Sequence, residues 1–427
     1  MKIKLINNVL NKALFLSLYF NNCVIEMFIF LIFFFNMKFA NISKLILYSG
    51  LNTVLLLSCS SGIESKQAIQ KPKLAEEKKE EVKDSIVAVV DTSLNNLALT
   101  IGGIDNDFIK ARKLNSPYFS TVQANFSVLE NTKLFPIKKW VKEVGMLPEK
   151  YKTSTLFYPL AGADFVYADA FFNDVDNYIM VGLEKPGFLH NYSSFTNTQI
   201  ESYISSVYNS LDVSMKFGYF KTINMRVQFN QKVVNGTIHS LLFYLARTGK
   251  KISNVKHFQV QNDGSIKYTV GTEAMKSAGV EILFQNERGE AKKLFYYSTD
   301  LSDANKSLDA FYKWVSSFGA HNTMLKAASY LNSRAYFTKT RNYILNTSQL
   351  IVQDDSGIPF EYVSNQKWDV KLYGAYRKVI PLFASRIQPD LVQAYQDSTK
   401  LTSKILPFKI GYNVMFNETN LQLFYKK

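Results

Sequence analysis

The 427-residue chain carries 50 Lys and Arg against 35 Asp and Glu, a formal charge of +15, and is 47% hydrophobic. A chain this long can bury a large core without staples, and its only cysteines, Cys23 and Cys59, are too few for a disulfide framework. Four scattered histidines, His190, His239, His257 and His321, show no metal-ligand spacing. No Walker A run, G-x-G-x-x-G or G-x-S-x-G is present, so no metal, no cofactor and no nucleotide chemistry is expected.

The N-terminus divides into three parts. Residues 1–36 include the apolar run Met27 to Phe35, which reads either as an extra apolar segment or as sequence ahead of a true start at Met37. Residues 37–58 have the zones of a secretory signal: Lys38 and Lys44, an apolar stretch from Leu45 to Leu57, and a small residue at Ser58. Asn52, Thr53 and Ser49 dilute that stretch below the roughly 20 apolar residues of a membrane span. Leu55-Leu56-Leu57-Ser58-Cys59 resembles a lipobox, which implies cleavage before Cys59 and lipidation of its thiol. Residues 59–86 then read as a lipidated cysteine and a disordered tether. Ser60 to Ser85 is polar, charged and free of aromatics, with a reach of roughly 25–30 Å as a flexible coil. Asp84-Ser85-Ile86 and Asp397-Ser398-Thr399 resemble a short bacterial O-glycosylation signal.

Residues 87–427 are expected to form a folded α+β domain, large enough for two packed lobes. Ser116-Pro117 is an N-cap and N1 pair opening a helix toward Lys133, and Lys138 to Val144 forms a second. Thr155 to Leu160 and Tyr178 to Glu184 read as buried strands around a helix from Asp164 to Phe172. Helices follow at Asn197 to Leu211 and Val234 to Arg247. Asn262-Asp263-Gly264 and Arg288-Gly289 each sit between β-rich runs and predict two hairpins. Asp303 to Phe318 and Ala335 to Asn346 read as helices; Leu350 to Gln353, Trp368 to Tyr373, Phe408 to Tyr412 and Leu421 to Tyr425 read as strands. Grouped helices and hairpins favour a helical N-terminal part packed on a mixed, largely antiparallel sheet.

Three segments could carry chemistry. In Leu156 to Tyr167 a strand stops at Pro159, Gly162 allows a tight turn and Asp164 stands at a helix start. Asp164 reads as a helix cap, or with Tyr158 and Gly162 as part of a strand-end site for an anion or a sugar hydroxyl. In Gln353-Asp354-Asp355-Ser356-Gly357-Ile358-Pro359 the adjacent carboxylates, facing opposite sides of a strand, form either an Asx-type turn at Asp355 or a strand-end site. There Asp354 would be a buried base, with Gln353 and Ser356 beside it. In Leu325 to Tyr330, a helical reading puts Lys326, Ser329 and Tyr330 on one face, solvated or supplying a counter-charge. Ser253-Asn254-Val255-Lys256 matches S-x-x-K by letter only.

The first two of these segments, with Gly182-Leu183-Glu184 and Trp368 to Tyr376, resemble an uncharacterised family of bacterial exported proteins and lipoproteins. That family's pattern runs roughly YPFSGPD near the start and QDDSGIP near the end. Here Leu160, Ala161 and Ala163 replace the expected Phe, Ser and Pro, while the second block is intact. The resemblance locates a site between Thr155 and Tyr412 and implies no activity.

The expected protein is therefore an envelope lipoprotein, at the outer membrane, held to the bilayer through Cys59. It would bind or support an envelope glycan, lipid or protein partner; nucleic acid is not an expected partner. The alternative is an exported hydrolase or transferase using Asp354, Asp355, Lys326 and Asp164 on envelope polymer. Residues 1–58 hold five lysines and one glutamate, so the chain from Cys59 on carries +11, with no block of like charges that would mark a polyanion site. A fatty-acid probe fed to expressing cells should label the wild type and leave Cys59→Ala unlabelled. Equal labelling of the two removes the anchor.

Overall fold

A computed structural model describes residues 88–219, 234–363, 366–412 and 418–427. The leading segment, the signal, Cys59 and the tether lie outside the described residues. Those residues form an α+β fold around one mixed sheet.

In chain order the elements are α1 (Thr92–Ile101), α2 (Asp107–Arg112), α3 (Pro117–Leu129), α4 (Phe135–Glu143), β1 (Thr155–Tyr158), α5 (Phe165–Phe171), β2 (Asn177–Gly182), α6 (Asn197–Phe217) and α7 (Ile238–Arg247). There follow β3 (Lys251–Val260), β4 (Ile266–Thr269), α8 (Gly271–Ala274), β5 (Gly279–Gln285), β6 (Ala291–Ser298), α9 (Leu308–Ser316) and β7 (His321–Leu325). The last are α10 (Thr338–Thr347), β8 (Ser348–Gln353), β9 (Trp368–Gly374), α11 (Pro389–Gln396), β10 (Leu401–Ser403) and β11 (Asn420–Lys426). Ser116 caps α3 and Pro117 opens it, as expected. A π-helical turn, Glu130–Leu134, joins α3 to α4. Pro136, which lacks the N–H that an unbroken α-helix would use, follows at once.

The strand order is β10-β9-β11-β8-β7-β1-β2-β6-β5-β3-β4. Its middle, β8-β7-β1-β2-β6, is parallel throughout, and antiparallel pairing is confined to the flanks. The sheet is mixed, as its sequence suggests: the two hairpin signals fall at β3-β4 and β5-β6, both antiparallel, while the centre is parallel where a largely antiparallel sheet is expected. The apolar runs of β1 and β2 account for this. Both strands are covered on two faces, the usual setting of parallel strands. Leu156, Tyr158, Tyr178 and Met180 join one apolar cluster with residues of the N-terminal helices. Their neighbours Phe157, Ile179 and Val181 point the other way, into a second cluster with Phe311, Trp314 and Ile344.

Several expectations need correction. His321–Leu325 is a strand paired with β1 and β8, and Lys326 to Tyr330 is a turn after it with Ala327, Ser329 and Tyr330 left-handed, not a helix face. The polar start of β7 is hydrogen-bonded to its surroundings: Asn322 Nδ2 donates to the Tyr151 carbonyl at 2.9 Å and the Thr323 and Ser348 hydroxyls meet at 2.7 Å. Phe408 to Tyr412 is a loop, because Gly411 takes a positive φ of 76° to pass Asp354. Helices α1, α2, α8 and α11 lie outside the expected elements.

Trp140 on α4 is almost fully buried, its ring 5.0 Å from Tyr373 of β9 and 5.5 Å from Phe408. It fastens a helix of the N-terminal part to the far half of the sheet. Trp140→Ala should lower unfolding free energy by about 3–5 kcal/mol, measured by urea denaturation. A loss under about 1 kcal/mol would show that the contact is not an anchor.

Candidate functional site

The chain leaves β1, builds outward through β2 and β6 on one side, and later places β7 and β8 on the other side of β1. This reversal opens a crevice beyond the carboxyl ends of β1 and β7, the usual ligand position in open parallel sheets. A cavity of about 200 Å³ lies there. Four loops wall it, each following one of the adjacent parallel strands: Leu160 to Asp164, Leu183 and Glu184, Thr299 to Leu301, and Lys326 to Ser329.

The centre is an ion pair. Asp164 Oδ2 is 2.7 Å from Lys326 Nζ and also accepts the Tyr158 hydroxyl at 2.7 Å. Both charged side chains are buried, Asp164 to 2% and Lys326 to 4% exposure. Lys326 donates as well to the Gly218 carbonyl, and its ammonium sits 4.0 Å from the centroid of the Tyr167 ring. Among the described residues nothing donates to Asp164 Oδ1. Burial raises the Asp164 pKa, and Lys326 and the Tyr158 hydroxyl oppose that rise. Lys133, from the π-helical turn, donates to the Lys216 carbonyl at 3.4 Å. Burial first, then the like charge of Lys326, pull its ammonium down to about 8.

The backbone around the cavity is strained. Five non-glycine residues among those described have positive φ, and four belong to its loops or adjoin them: Leu160 (61°), Ala327 (50°), Ser329 (54°) and Tyr330 (54°). Such conformations persist only where surroundings enforce them, and they gather at functional sites. The enforcement here comes from the turn after β8. Asp354 Oδ2 accepts the Ala327 N–H at 2.8 Å and Ser356 Oγ accepts that of Ala328 at 2.7 Å. The Tyr412 hydroxyl donates to the Ala327 carbonyl at 2.6 Å. Space is also tight at Gly182, where a Cβ would lie 2.5 Å from the Tyr296 hydroxyl and 3.1 Å from the Gly162 Cα.

The residues singled out from sequence therefore divide. Gly162, Asp164, Lys326 and Ser329 line the cavity; Tyr158 lies behind Asp164. Asp164 is not a side-chain helix cap, and Lys326 is not on a solvated face. The 353–359 block is a brace. Gln353 folds back onto Ile358, bonding its N–H at 2.9 Å and its carbonyl at 2.8 Å. The Asx-type turn forms at Asp354, whose Oδ1 accepts the Ser356 N–H at 2.9 Å, and not at Asp355. Asp355 accepts from the Tyr330 hydroxyl and, at 2.8 Å, from Asn420. Burial raises the pKa of both carboxylates, and the Asp354 charge adds to the rise at Asp355. Sequence reasoning missed Asp300, Tyr219, Leu331 and Phe337 in the wall, which no local pattern marks. Among the described residues no group of three or more His, Cys, Asp or Glu could hold a metal ion.

Comparison with family models, with curated proteins and with solved structures finds no match to this chain. Fold and site define it as an α+β protein with a charged cavity at the switch point of a mixed sheet.

Removing one member of a buried ion pair strands the other charge, at about 3–5 kcal/mol, whereas replacing both by apolar groups is often close to neutral. Lys326→Met alone should be destabilising on that scale in urea denaturation, and Asp164→Leu with Lys326→Met should recover most of the loss. Additive losses in the double variant would mean that the two side chains do not act as a pair.

Proposed function

We propose that this chain is an exported bacterial envelope protein, lipid-anchored through Cys59, that binds a hydroxyl-bearing ligand in the Asp164–Lys326 cavity, namely a sugar unit of an envelope glycan. The observation that carries the reading is Asp164, a residue of the cavity wall whose buried carboxylate oxygen Oδ1 has no hydrogen-bond donor among the described residues. An ionised carboxylate only accepts hydrogen bonds, and leaving such an atom dry and unpaired is costly. A sugar hydroxyl supplies the missing donor. Asp164, Glu184 and Asp300 outnumber Lys326 in the wall, which favours a ligand rich in donors. Phe337 and Tyr219 add rings for the apolar face of a sugar. The cavity is small beside the roughly 300–1,000 Å³ of larger ligand sites, a size suited to one ring.

The resemblance to exported lipoproteins and the tether reading of Ser60 to Ser85 fit this role, since a tether of that reach lets the folded part meet polymer near the membrane. The competing reading, an exported hydrolase or transferase, draws on Asp164 and Lys326 as well. It is weaker because its other two carboxylates do not reach the cavity, as a general base must reach its substrate. Both oxygens of Asp354 and of Asp355 already accept from protein donors, and neither residue lines the cavity.

Saturation-transfer NMR on the purified protein in detergent, with N-acetylglucosamine, N-acetylmuramic acid, galactose and glucose as probes, tests the reading. At least one sugar should bind, and Ser329→Ala and Asp164→Asn should weaken it at least tenfold, read at a temperature where circular dichroism shows the destabilised Asp164→Asn protein still folded. Transfer to none of the sugars, or equal affinity in both variants, removes the glycan reading.

A further inference from the structure

A second cluster of unpartnered polar groups lies along the segment between β7 and α10. Arg341, on α10, is buried, with 7% exposure. Its guanidinium stacks 4.0 Å from the Tyr362 ring centroid, donates Nη1 to the Asn332 carbonyl at 2.7 Å, and reaches Thr338 Oγ1 only at 3.5 Å from Nη2. Its Nε is buried and has no acceptor among the described residues. A guanidinium has five N–H donors, so most of this one's capacity is unused.

The neighbours repeat the pattern. Asn332 is fully buried, and among the described residues neither its Oδ1 nor its Nδ2 has a hydrogen-bond partner. Arg334 Nε is buried without an acceptor. Arg386 reaches the Ser333 hydroxyl at 3.4 Å. Among the described residues no carboxylate forms an ion pair with Arg334, Arg341 or Arg386. Asp303, at the start of the same helix, is occupied by the N–H groups of Thr338 and Lys339 at 3.0 and 2.8 Å. A buried cation without a counter-charge is unfavourable. Here it coincides with a fully buried side-chain amide that makes no hydrogen bond. A single oxyanion reaching these groups would accept from both arginines and from Asn332 Nδ2, while a protonated oxygen of the same group would donate to Asn332 Oδ1.

We propose that Arg341, with Asn332 and Arg334, forms a second binding site, for a phosphate group. Arginine's planar fork suits two phosphate oxygens at once. The same segment contributes Leu331 and Phe337 to the cavity wall, so a phosphate bound here orders part of that wall. The inference stands on its own groups and does not depend on a sugar filling the cavity.

Thermal unfolding of the full chain in detergent tests it, with inorganic phosphate as probe and sodium chloride at matched ionic strength as control. The melting temperature of the wild type should rise saturably with phosphate, as linkage requires of a ligand that binds the folded state. Arg341→Met should show no rise, and without phosphate should melt no lower than wild type, because an unpaired buried charge has gone. Arg341→Lys keeps the charge without the fork and should bind phosphate at least tenfold more weakly, which decides the matter if Arg341→Met does not fold. No phosphate response in the wild type, or an undiminished one in the variants, overturns the site.

Discussion

The buried pairing of Asp164 with Lys326 is the constraint around which the rest of the site is arranged. A carboxylate and an ammonium, both nearly inaccessible, survive only if each finds its partner and enough further hydrogen bonds. Asp164 follows β1 and Lys326 follows β7, and these strands are neighbours only because the chain reverses its direction of sheet growth. The pair thus joins two loops far apart in sequence at the position where the topology opens a crevice. Tyr158 on one side and the Gly218 carbonyl on the other complete the set. Burial first, and then the like charge that this arrangement brings close, lower the pKa of Lys133.

The second requirement is to hold the β7 loop in left-handed conformations that alanine, serine and tyrosine resist. The turn after β8 does this with side chains. Asp354 and Ser356 capture the N–H groups of Ala327 and Ala328, and Asp355 fixes the Tyr330 hydroxyl. Close approach by the 408–412 loop completes the hold, since a Cβ on Gly411 would stand 2.6 Å from Asp354 Oδ2. The acidic block that reads in sequence as either a turn or a strand-end site is therefore a positioning element. Its carboxylates are spent on backbone and hydroxyl donors, and the strained loop they support is what meets the cavity.

Much of the fold is legible where the signal is local. The Ser116-Pro117 helix start, the hairpin at Asn262-Asp263-Gly264 and the apolar runs of β1 and β2 depend on neighbouring residues alone, and each is found where the pattern puts it. Strand β7 is illegible for the opposite reason. His321-Asn322-Thr323 is polar, and only pairing with β1 and β8 makes it a strand. Lys326-Ala327-Ala328 favours a helix by propensity, and side chains from the turn after β8, distant in sequence, override it. The site is half legible. Asp164 and Lys326 can each be marked as candidates, but nothing local says that they touch.

The central claim is that Asp164 Oδ1 is reserved for a ligand hydroxyl. A crystal structure of the protein soaked with the tightest-binding sugar tests this most directly. The account predicts a sugar ring in the cavity with one hydroxyl within about 3.2 Å of that oxygen. A side chain of the protein itself donating to Oδ1, or a sugar bound elsewhere, would contradict it.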